Sequence, residues 1–104
     1  MLWRVSLRPE IENDMAEAIA WYEERQVGLG ERFVDEVFSV WNSLASNPCL
    51  SARRHPSKDI RWQYPKSFPY RIIYELDPAR HEVVIIAVMH AARHETEWKN
   101  RRFQ

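Results

Sequence analysis

Apolar and polar side chains alternate over residues 2–7, which predicts a strand that buries one of its two faces. The buried face would consist of Trp3, Val5 and Leu7. Pro9 ends the alternation, and a proline is well tolerated in the first turn of a helix. The sequence therefore predicts a short N-terminal strand followed directly by a helix.

Two segments then carry apolar residues every three or four positions, which predicts two amphipathic helices. Both glycines of the chain, Gly28 and Gly30, lie between these segments, and Asn47-Pro48 ends the second one. The helices are expected to form a hairpin with facing apolar stripes. The first stripe is Ile11, Met15, Ala18, Ile19 and Tyr22, and the second is Phe33, Val34, Val37, Phe38, Trp41, Leu44 and Ala45. We expect the core of this hairpin to contain the aromatic residues Trp21, Tyr22, Phe33, Phe38 and Trp41.

From residue 50 onward the pattern favours strands, at residues 61–64, 68–76 and 82–89, with a turn at 77–80. The third of these is almost wholly apolar, which indicates a central strand covered on both faces. The order β-α-α-β-β-β predicts an α+β fold in which the helical hairpin packs on a mainly antiparallel sheet. Residues 1–104 are expected to form one domain. Residues 93–101 could form a short helix or an extended tail.

Composition restricts the class of protein further. The longest apolar run, residues 83–89, has the length of a strand, so we expect no membrane partner. Cys49 is the single cysteine, which excludes an internal disulfide and favours a reduced, cytoplasmic compartment. Residues 1–50 have a net charge of −5 and residues 51–104 have +5. The basic second half suggests an anionic partner, although charges can also fall unevenly by chance in a short chain.

Two polar residues on the predicted strands are candidates for chemistry. Arg71 could contact an anion, such as a nucleic-acid phosphate or an acidic segment of a partner protein, or could form a structural ion pair with Glu75 or Asp59. His90 could act as a general base, or could simply cap the end of its strand. The sequence leaves both alternatives open for each residue.

Arg61, Trp62 and Tyr64 belong to a basic run interleaved with aromatic residues, a combination that suits nucleic acid or a nucleoprotein. The alternative is a solvated edge strand whose charges prevent unwanted pairing. His90 and His94 have the spacing of two metal ligands on a helix, but His90 continues a strand and no cysteine is nearby. We therefore expect no metal and no cofactor.

Five short motifs, in this order along nearly the whole chain, resemble the signatures of the RelE/ParE toxin superfamily. They are Ala18-Ile19-Ala20-Trp21-Tyr22, Gly30-Glu31-Arg32-Phe33, Asn47-Pro48, Phe68-Pro69-Tyr70-Arg71-Ile72-Ile73-Tyr74, and Ala87-Val88-Met89-His90 with Arg93 and Trp98. The resemblance implies the β-α-α-β-β-β fold and a bacterial, growth-inhibiting toxin with a cytoplasmic target. It also implies a cognate antitoxin that wraps the toxin with a helix and extended segments.

The superfamily that this chain resembles acts on two different targets. RelE-like toxins cut messenger RNA on the ribosome with lysines, arginines and a C-terminal tyrosine, whereas ParE-like toxins inhibit DNA gyrase. Here Trp62 and Tyr64 occupy the lysine positions and Trp98 takes the tyrosine position, while Arg71 is kept and Arg93 stands near a second arginine position. These residues favour the ParE-like branch.

Two alternatives remain open: a ribosome-dependent endoribonuclease, and a non-toxic domain that only binds the antitoxin. The catalytic residues of such a nuclease would be Arg71, His90 and Arg93. The residues expected to bind the target or the antitoxin are Arg61, Trp62, Tyr64, Arg71, Arg93, Trp98 and Arg101. We expect the fold to display Arg71, His90 and Arg93 along one surface, and an apolar, basic groove beside the central strand to be covered by a partner helix or strand.

Overall fold

The computed structural model describes residues 2–49, 53–54 and 60–92, with only the backbone described at 53–54. Arg93, Trp98 and Arg101, as well as Asp59, therefore lie outside the described residues. The predicted order of elements is confirmed, with one additional short strand. The elements are β1 (Arg4–Leu7), α1 (Glu10–Arg25), α2 (Leu29–Ser46), β2 (Arg53–Arg54), β3 (Ile60–Gln63), β4 (Tyr70–Asp77) and β5 (Glu82–His90).

Within the described part of the chain, the strands form one sheet in the order β1-β5-β4-β3-β2. The last three predicted strands are antiparallel, as expected, but β1 pairs with β5 in parallel, so the sheet is mixed. Between β1 and its partner the chain crosses the helical layer, so no tight turn fixes the relative direction of the two strands. Alternation in the sequence predicts which face of a strand is buried, but it does not predict whether two strands pair in parallel or antiparallel. β2 has two residues, too few to show a period.

The turn between the helices depends on the glycines. Gly28 has a φ of 90°, in the left-handed region, and directly precedes α2. The Glu23 carboxylate of α1 accepts hydrogen bonds from the backbone N–H groups of Gly28 and Gly30, at 2.9 and 3.0 Å. It thereby satisfies donors at the positive end of α2. A Cβ at position 30 would lie 3.0 Å from the Ile19 carbonyl oxygen, so the helices meet more closely than an alanine would allow.

The aromatic core is smaller than the sequence predicts. Tyr22 and Phe33 are buried and contact each other, but Trp21 and Phe38 are each 48 % exposed, so the expectation that they belong to the core is wrong. Leu7 is also exposed instead of buried. A helix in a two-layer domain buries a single stripe, and residues at the margins of that stripe stay in contact with solvent. Trp21 and Phe38 lie at those margins.

A β-bulge in β5 assigns residues to the two faces of the sheet. Ile73 pairs with Ala87 and Tyr74 pairs with Ile85, which leaves Ile86 as the extra residue. We call the helix-facing side the inner face and the opposite side the outer face. The inner face includes Ile72, Tyr74, Val83, Ile85 and Val88, and the outer face includes Ile60, Trp62, Ile73, Ile86, Ala87 and Met89. Buried residues of β5 contribute to both faces, as expected for a central strand.

Tyr74 joins the sheet to the end of the helical hairpin. Its hydroxyl donates a 2.6 Å hydrogen bond to the carbonyl oxygen of Pro48, two residues after α2 ends. Burial is the main cause that raises the pKa of Tyr74 from its ordinary value of 10.0 to about 12. The folded protein therefore disfavours the tyrosinate more strongly than the unfolded chain does.

We expect Tyr74→Phe to lower the free energy of unfolding by about 0.5–1.5 kcal/mol, because the Pro48 carbonyl loses its donor. Because the folded pKa is raised, the contribution of Tyr74 is complete below pH 10 and declines as the pH rises from 10 to 12. Denaturant unfolding at several alkaline pH values would measure both effects. The prediction fails if the wild type and Tyr74→Phe lose stability in parallel across that interval.

Candidate functional site

The outer face of the sheet brings together two of the residues predicted to bind a macromolecule, Trp62 and Arg71. Trp62 of β3 pairs with Ile73, and Arg71 of β4 pairs with Met89, which places both side chains on the outer face. The guanidinium carbon of Arg71 lies 5.5 Å from the centre of the Trp62 ring, within the range of a cation–π contact. Tyr64 follows at the exposed end of β3, two residues beyond Trp62.

Two donors in this group are buried and have no acceptor among the described residues. These are the Nε–H of Arg71 and the Nε1–H of Trp62. A buried donor without an acceptor costs about 1–3 kcal/mol. Among the described residues no carboxylate pairs with Arg71, so the structure does not contain the Arg71–Glu75 ion pair considered above. The alternative partner, Asp59, lies outside the described residues.

Arg61 lies apart from this group. It pairs with Tyr74, so strand alternation directs it to the inner face, whereas its neighbour Trp62 lies on the outer face. Its Nε–H is also buried without an acceptor. The basic-aromatic run of the sequence therefore divides between the two faces of the sheet.

His90 lies on the inner face, opposite Tyr70, with ring centres 5.4 Å apart. Because Tyr70 and Arg71 are consecutive residues of β4, their side chains point to opposite faces, and the expectation that Arg71 and His90 share one surface is wrong. His90 instead lines a cavity of about 190 Å³ between α1 and the end of β5. The other lining residues are Asp14, Glu17, Ala18, Trp21, Tyr70, Val88 and Met89.

The hydrogen bonding of His90 matches a strand-end cap. Its Nδ1 accepts a 3.0 Å hydrogen bond from the backbone N–H of Ala92. A neutral imidazole that accepts at Nδ1 carries its proton on Nε2. In that tautomer the nitrogen turned away from the backbone is a donor, which does not suit a general base.

Asp14 is a structural residue that the sequence analysis did not single out. Its side chain is 8 % exposed, and Oδ2 accepts a 3.0 Å hydrogen bond from the backbone N–H of Val88. β1 ends at Leu7, which pairs with Ile85. The backbone N–H groups of β5 beyond Ile85 therefore need an acceptor other than β1. The available signal was a carboxylate placed within the otherwise apolar stripe of α1.

A network on α2 holds the loop between β3 and β4. Oε1 of Glu36 accepts a 2.7 Å hydrogen bond from the Ser67 backbone N–H, and Arg32 donates to the Ser67 hydroxyl at 2.8 Å. Arg32 Nε also lies 3.2 Å from Oε2 of Glu36. Desolvation alone would raise the pKa of Glu36, but the hydrogen bonds from Ser67 and Arg32 outweigh it and lower that pKa.

We expect Glu36→Gln to loosen this loop while the helices stay intact, because the amide accepts more weakly than the carboxylate it replaces. Hydrogen exchange at the Ser67 amide should accelerate by about tenfold, equivalent to about 1.4 kcal/mol, since bonds to charged groups contribute about 1.5–3 kcal/mol. In the wild type, the protection of the Ser67 amide relative to an unprotected amide at the same pH should fall as the pH falls through the lowered pKa of Glu36. Unchanged exchange at Ser67 would contradict the role given to this network.

An apolar groove lies between the two helices and the end of β1. Its volume is about 400 Å³. Leu7 and Phe38, the exposed residues that the sequence placed in the core, are 47 % and 48 % exposed here. The groove is lined by Leu7, Arg8, Pro9, Ile11, Glu12, Met15, Ile19, Val34, Phe38 and Trp41. It does not lie beside the central strand, where a groove was expected.

The described residues contain no group of three His, Cys, Asp or Glu side chains that could hold a metal ion. The two helices given above also fall short of the length and apolar character needed to cross a bilayer.

Comparison with known proteins identifies the fold and the family. The model of the ParE toxin family of type II toxin–antitoxin systems, parDE, matches residues 5–95. The chain is similar in structure to the isolated Escherichia coli RelE toxin, with a TM-score of 0.66 and 14 % identity over 98 % of this chain and 99 % of that one. A mutant of that toxin in the free state gives a TM-score of 0.66 and 16 % identity, with both chains fully covered.

A chain of the RelBE2 toxin–antitoxin complex from Mycobacterium tuberculosis is similar as well. It gives a TM-score of 0.63 and 18 % identity over 86 % of this chain and 99 % of that one. A search of curated proteins found no significant match. At these identities the structural similarities establish the fold, and the family model covers most of the chain.

Proposed function

This chain belongs to the ParE toxin family of type II toxin–antitoxin systems, and from that premise we propose that it inhibits growth by binding DNA gyrase until a cognate antitoxin neutralises it. The main observation in support of this proposal is that Arg71 and His90 lie on opposite faces of the sheet. The proposed site of action is the cytoplasm, where gyrase and its DNA substrate are found.

RNA cleavage by the 2′-hydroxyl requires a base, cations around the phosphorane and a proton donor that converge on one phosphate. Arg71 cannot meet that requirement together with His90, because the sheet lies between them. The residue that accompanies Arg71 is instead Trp62, which supplies stacking surface and no general base. The outer face is therefore better suited to binding than to cleavage.

The same residues suit a protein target. Trp, Tyr and Arg are the residue types most enriched among the hot spots of protein interfaces. The Arg71 guanidinium, which has no carboxylate partner among the described residues, would gain a charge-assisted hydrogen bond from a carboxylate of the target. Binding energy would thus come from a charge that the described residues leave without a carboxylate.

A ribosome-dependent endoribonuclease is the second candidate, and one observation favours it. The Arg71 guanidinium has no carboxylate partner among the described residues, so a phosphate could bind it as readily as a protein carboxylate. Such an enzyme would need its general base from a group other than His90.

Induction of the chain in cells distinguishes the two functions. A gyrase inhibitor should produce DNA damage and filamentation while translation continues, and co-expression of the antitoxin should restore growth. An endoribonuclease should instead stop translation rapidly and leave cut messages. Cells that grow normally with the folded chain at high level would count against both and favour a non-toxic antitoxin-binding domain.

A further inference from the structure

The cavity that His90 lines, between α1 and the end of β5, combines carboxylate groups with aromatic rings. Asp14 and Glu17 are three positions apart on α1, which makes them neighbours on the helix surface, and both line the cavity. Trp21 and Tyr70 line it as well. None of the described lining residues is a lysine or an arginine. The lining therefore favours a positively charged ligand.

The cavity lies beyond the point where β1 stops covering the edge of β5. β1 pairs with β5 only as far as Ile85, and Asp14 becomes the acceptor at Val88. The N–H and C=O groups of one strand residue point to the same edge, so the Val88 carbonyl oxygen also faces this side of β5. A carboxylate has about four lone-pair sites, so Asp14 can accept further hydrogen bonds. His90 adds no acceptor at Nδ1, which already accepts from Ala92.

An organic cation fits this lining better than a metal ion does. Ca²⁺ takes about 6–8 oxygen ligands, whereas the described lining offers two carboxylates. Aromatic faces attract organic cations, and the Trp21 ring already does so on one side. The guanidinium carbon of Arg25 lies 3.2 Å from the centre of that ring, while Arg25 donates a 2.9 Å hydrogen bond to the Trp21 carbonyl oxygen.

Among organic cations, a guanidinium group matches the cavity more fully than an ammonium group does. It is planar and carries a fixed fork of N–H donors, so it can bond to two neighbouring carboxylates while it lies against a ring. An ammonium group is a compact charge that holds its water more strongly. The cavity volume of about 190 Å³ is several times the roughly 30 Å³ that one water occupies in the liquid. It therefore admits a guanidinium group with part of its aliphatic chain.

We propose that this cavity binds a guanidinium group, with the Asp14 and Glu17 carboxylates as acceptors and the Trp21 and Tyr70 rings as walls. Two sources supply this chemistry: a free guanidinium compound, and an arginine side chain of a bound protein. The cavity lies on the helix side of the sheet, whereas Arg71 lies on the outer face. Binding in the cavity is therefore separate from the gyrase contact proposed above.

The first test compares blocked amino acids as ligands of the full chain. Nα-acetyl-arginine methylamide should bind with a dissociation constant on the order of 1 mM, and it should shift the Val88 amide resonance, since that amide bonds to Asp14. The citrulline counterpart has nearly the same shape without the charge and should bind at least about tenfold more weakly. The lysine counterpart should bind about threefold more weakly. Equal binding of the arginine and citrulline compounds, tighter binding of the lysine compound, or an unshifted Val88 amide would overturn the proposal.

The second test removes one carboxylate. Because Glu17 is exposed, Glu17→Gln should leave the fold intact, and it should weaken binding of the arginine compound about tenfold through loss of a charge-assisted hydrogen bond. Glu12→Gln is the matched control, since Glu12 is an exposed acid of the same helix outside the cavity, and it should change the affinity by less than about twofold. Equal effects of the two substitutions would contradict the site.

The third test addresses the aromatic wall. Trp21→Leu should weaken binding of the arginine compound about threefold or more, because the ring face no longer attracts the cation. Phe38→Leu removes an equally exposed aromatic ring outside the cavity and should leave the affinity unchanged. Wild-type affinity of Trp21→Leu would exclude the ring from the site.

A growth assay identifies the source of the guanidinium group. With a free compound, which the position of the cavity favours, Glu17→Gln should inhibit growth like the wild type at equal protein level. Loss of inhibition by Glu17→Gln, but not by Glu12→Gln, would instead identify an arginine of the target. Under either source, a wild-type chain that fails to prefer the arginine compound over the citrulline compound overturns the proposal.

Discussion

Replacing Phe33 by alanine should lower the free energy of unfolding by about 3–5 kcal/mol, a large fraction of the total for a domain of this size. Phe33 is fully buried, and its ring lies 5.5 Å from that of Tyr22, 5.1 Å from Phe68 and 5.0 Å from Tyr70. These partners belong to α1, the loop before β4, and β4 itself. The substitution therefore opens a cavity where the helical hairpin meets the sheet.

Phe38→Ala is the matched control for this prediction. It is the same substitution on the same helix, but Phe38 is about half exposed and packs mainly against Trp41, at 5.1 Å between ring centres. Its cost should stay near or below about 1 kcal/mol, since little apolar area returns to water. Denaturant unfolding with an unchanged m-value measures both variants. Similar losses for the two would mean that Phe33 does not hold the layers together.

Arg71→Ala should reduce growth inhibition by about 100-fold, equivalent to about 2.7 kcal/mol of target binding, which is typical of an arginine hot spot. The physical reason is that Arg71 supplies a positive charge on the outer face, next to the Trp62 ring. Titrating expression against growth, with the protein level measured in each strain, gives the ratio. His90→Gln should leave inhibition nearly unchanged, because His90 lies on the other face and bonds to the backbone.

Arg80→Ala is the arginine control, because Arg80 lies in the exposed turn between β4 and β5 and, among the described residues, forms its ion pair with Asp77, at 3.8 Å. It should retain inhibition. If His90→Gln and Arg71→Ala abolished inhibition equally, the two residues would have to act together, and the separation of the two faces would not describe the active protein. If Arg71→Ala inhibited growth like the wild type, the proposal that the outer face binds the target would be contradicted.

The sequence predicted the helices and strands correctly, but it did not predict on which face of the sheet each strand residue lies. Periodicity in residues 10–46 located both helices, since buried stripes repeat every three or four residues. The uniformly apolar run of 82–89 has no alternation, so neither the bulge at Ile86 nor the side on which His90 lies can be deduced from it. The distribution of Arg71 and His90 depends on strand register, which local sequence does not encode.

The sequence was equally unable to predict which residues at the margins of the helices are buried. Phe38 belongs to the apolar stripe of the second helix just as Phe33 does, and only the packing of the hairpin on the sheet decides which of the two is covered. Asp14 could have been identified, since a carboxylate among Ile11, Met15 and Ala18 needs a partner inside the fold. The charge difference between the halves was visible, but the cavity that joins two carboxylates to two aromatic rings became apparent only once α1 was packed on β5.

The central claim, that this chain binds gyrase through the outer face of its sheet and does not cut RNA, can be tested with purified components. The chain released from its antitoxin should inhibit DNA supercoiling by gyrase, antitoxin should restore it, and Arg71→Ala should remove most of the inhibition. Translating ribosomes incubated with the same preparation should retain intact messages. Messages cut on the ribosome, together with unimpaired supercoiling, would contradict the account.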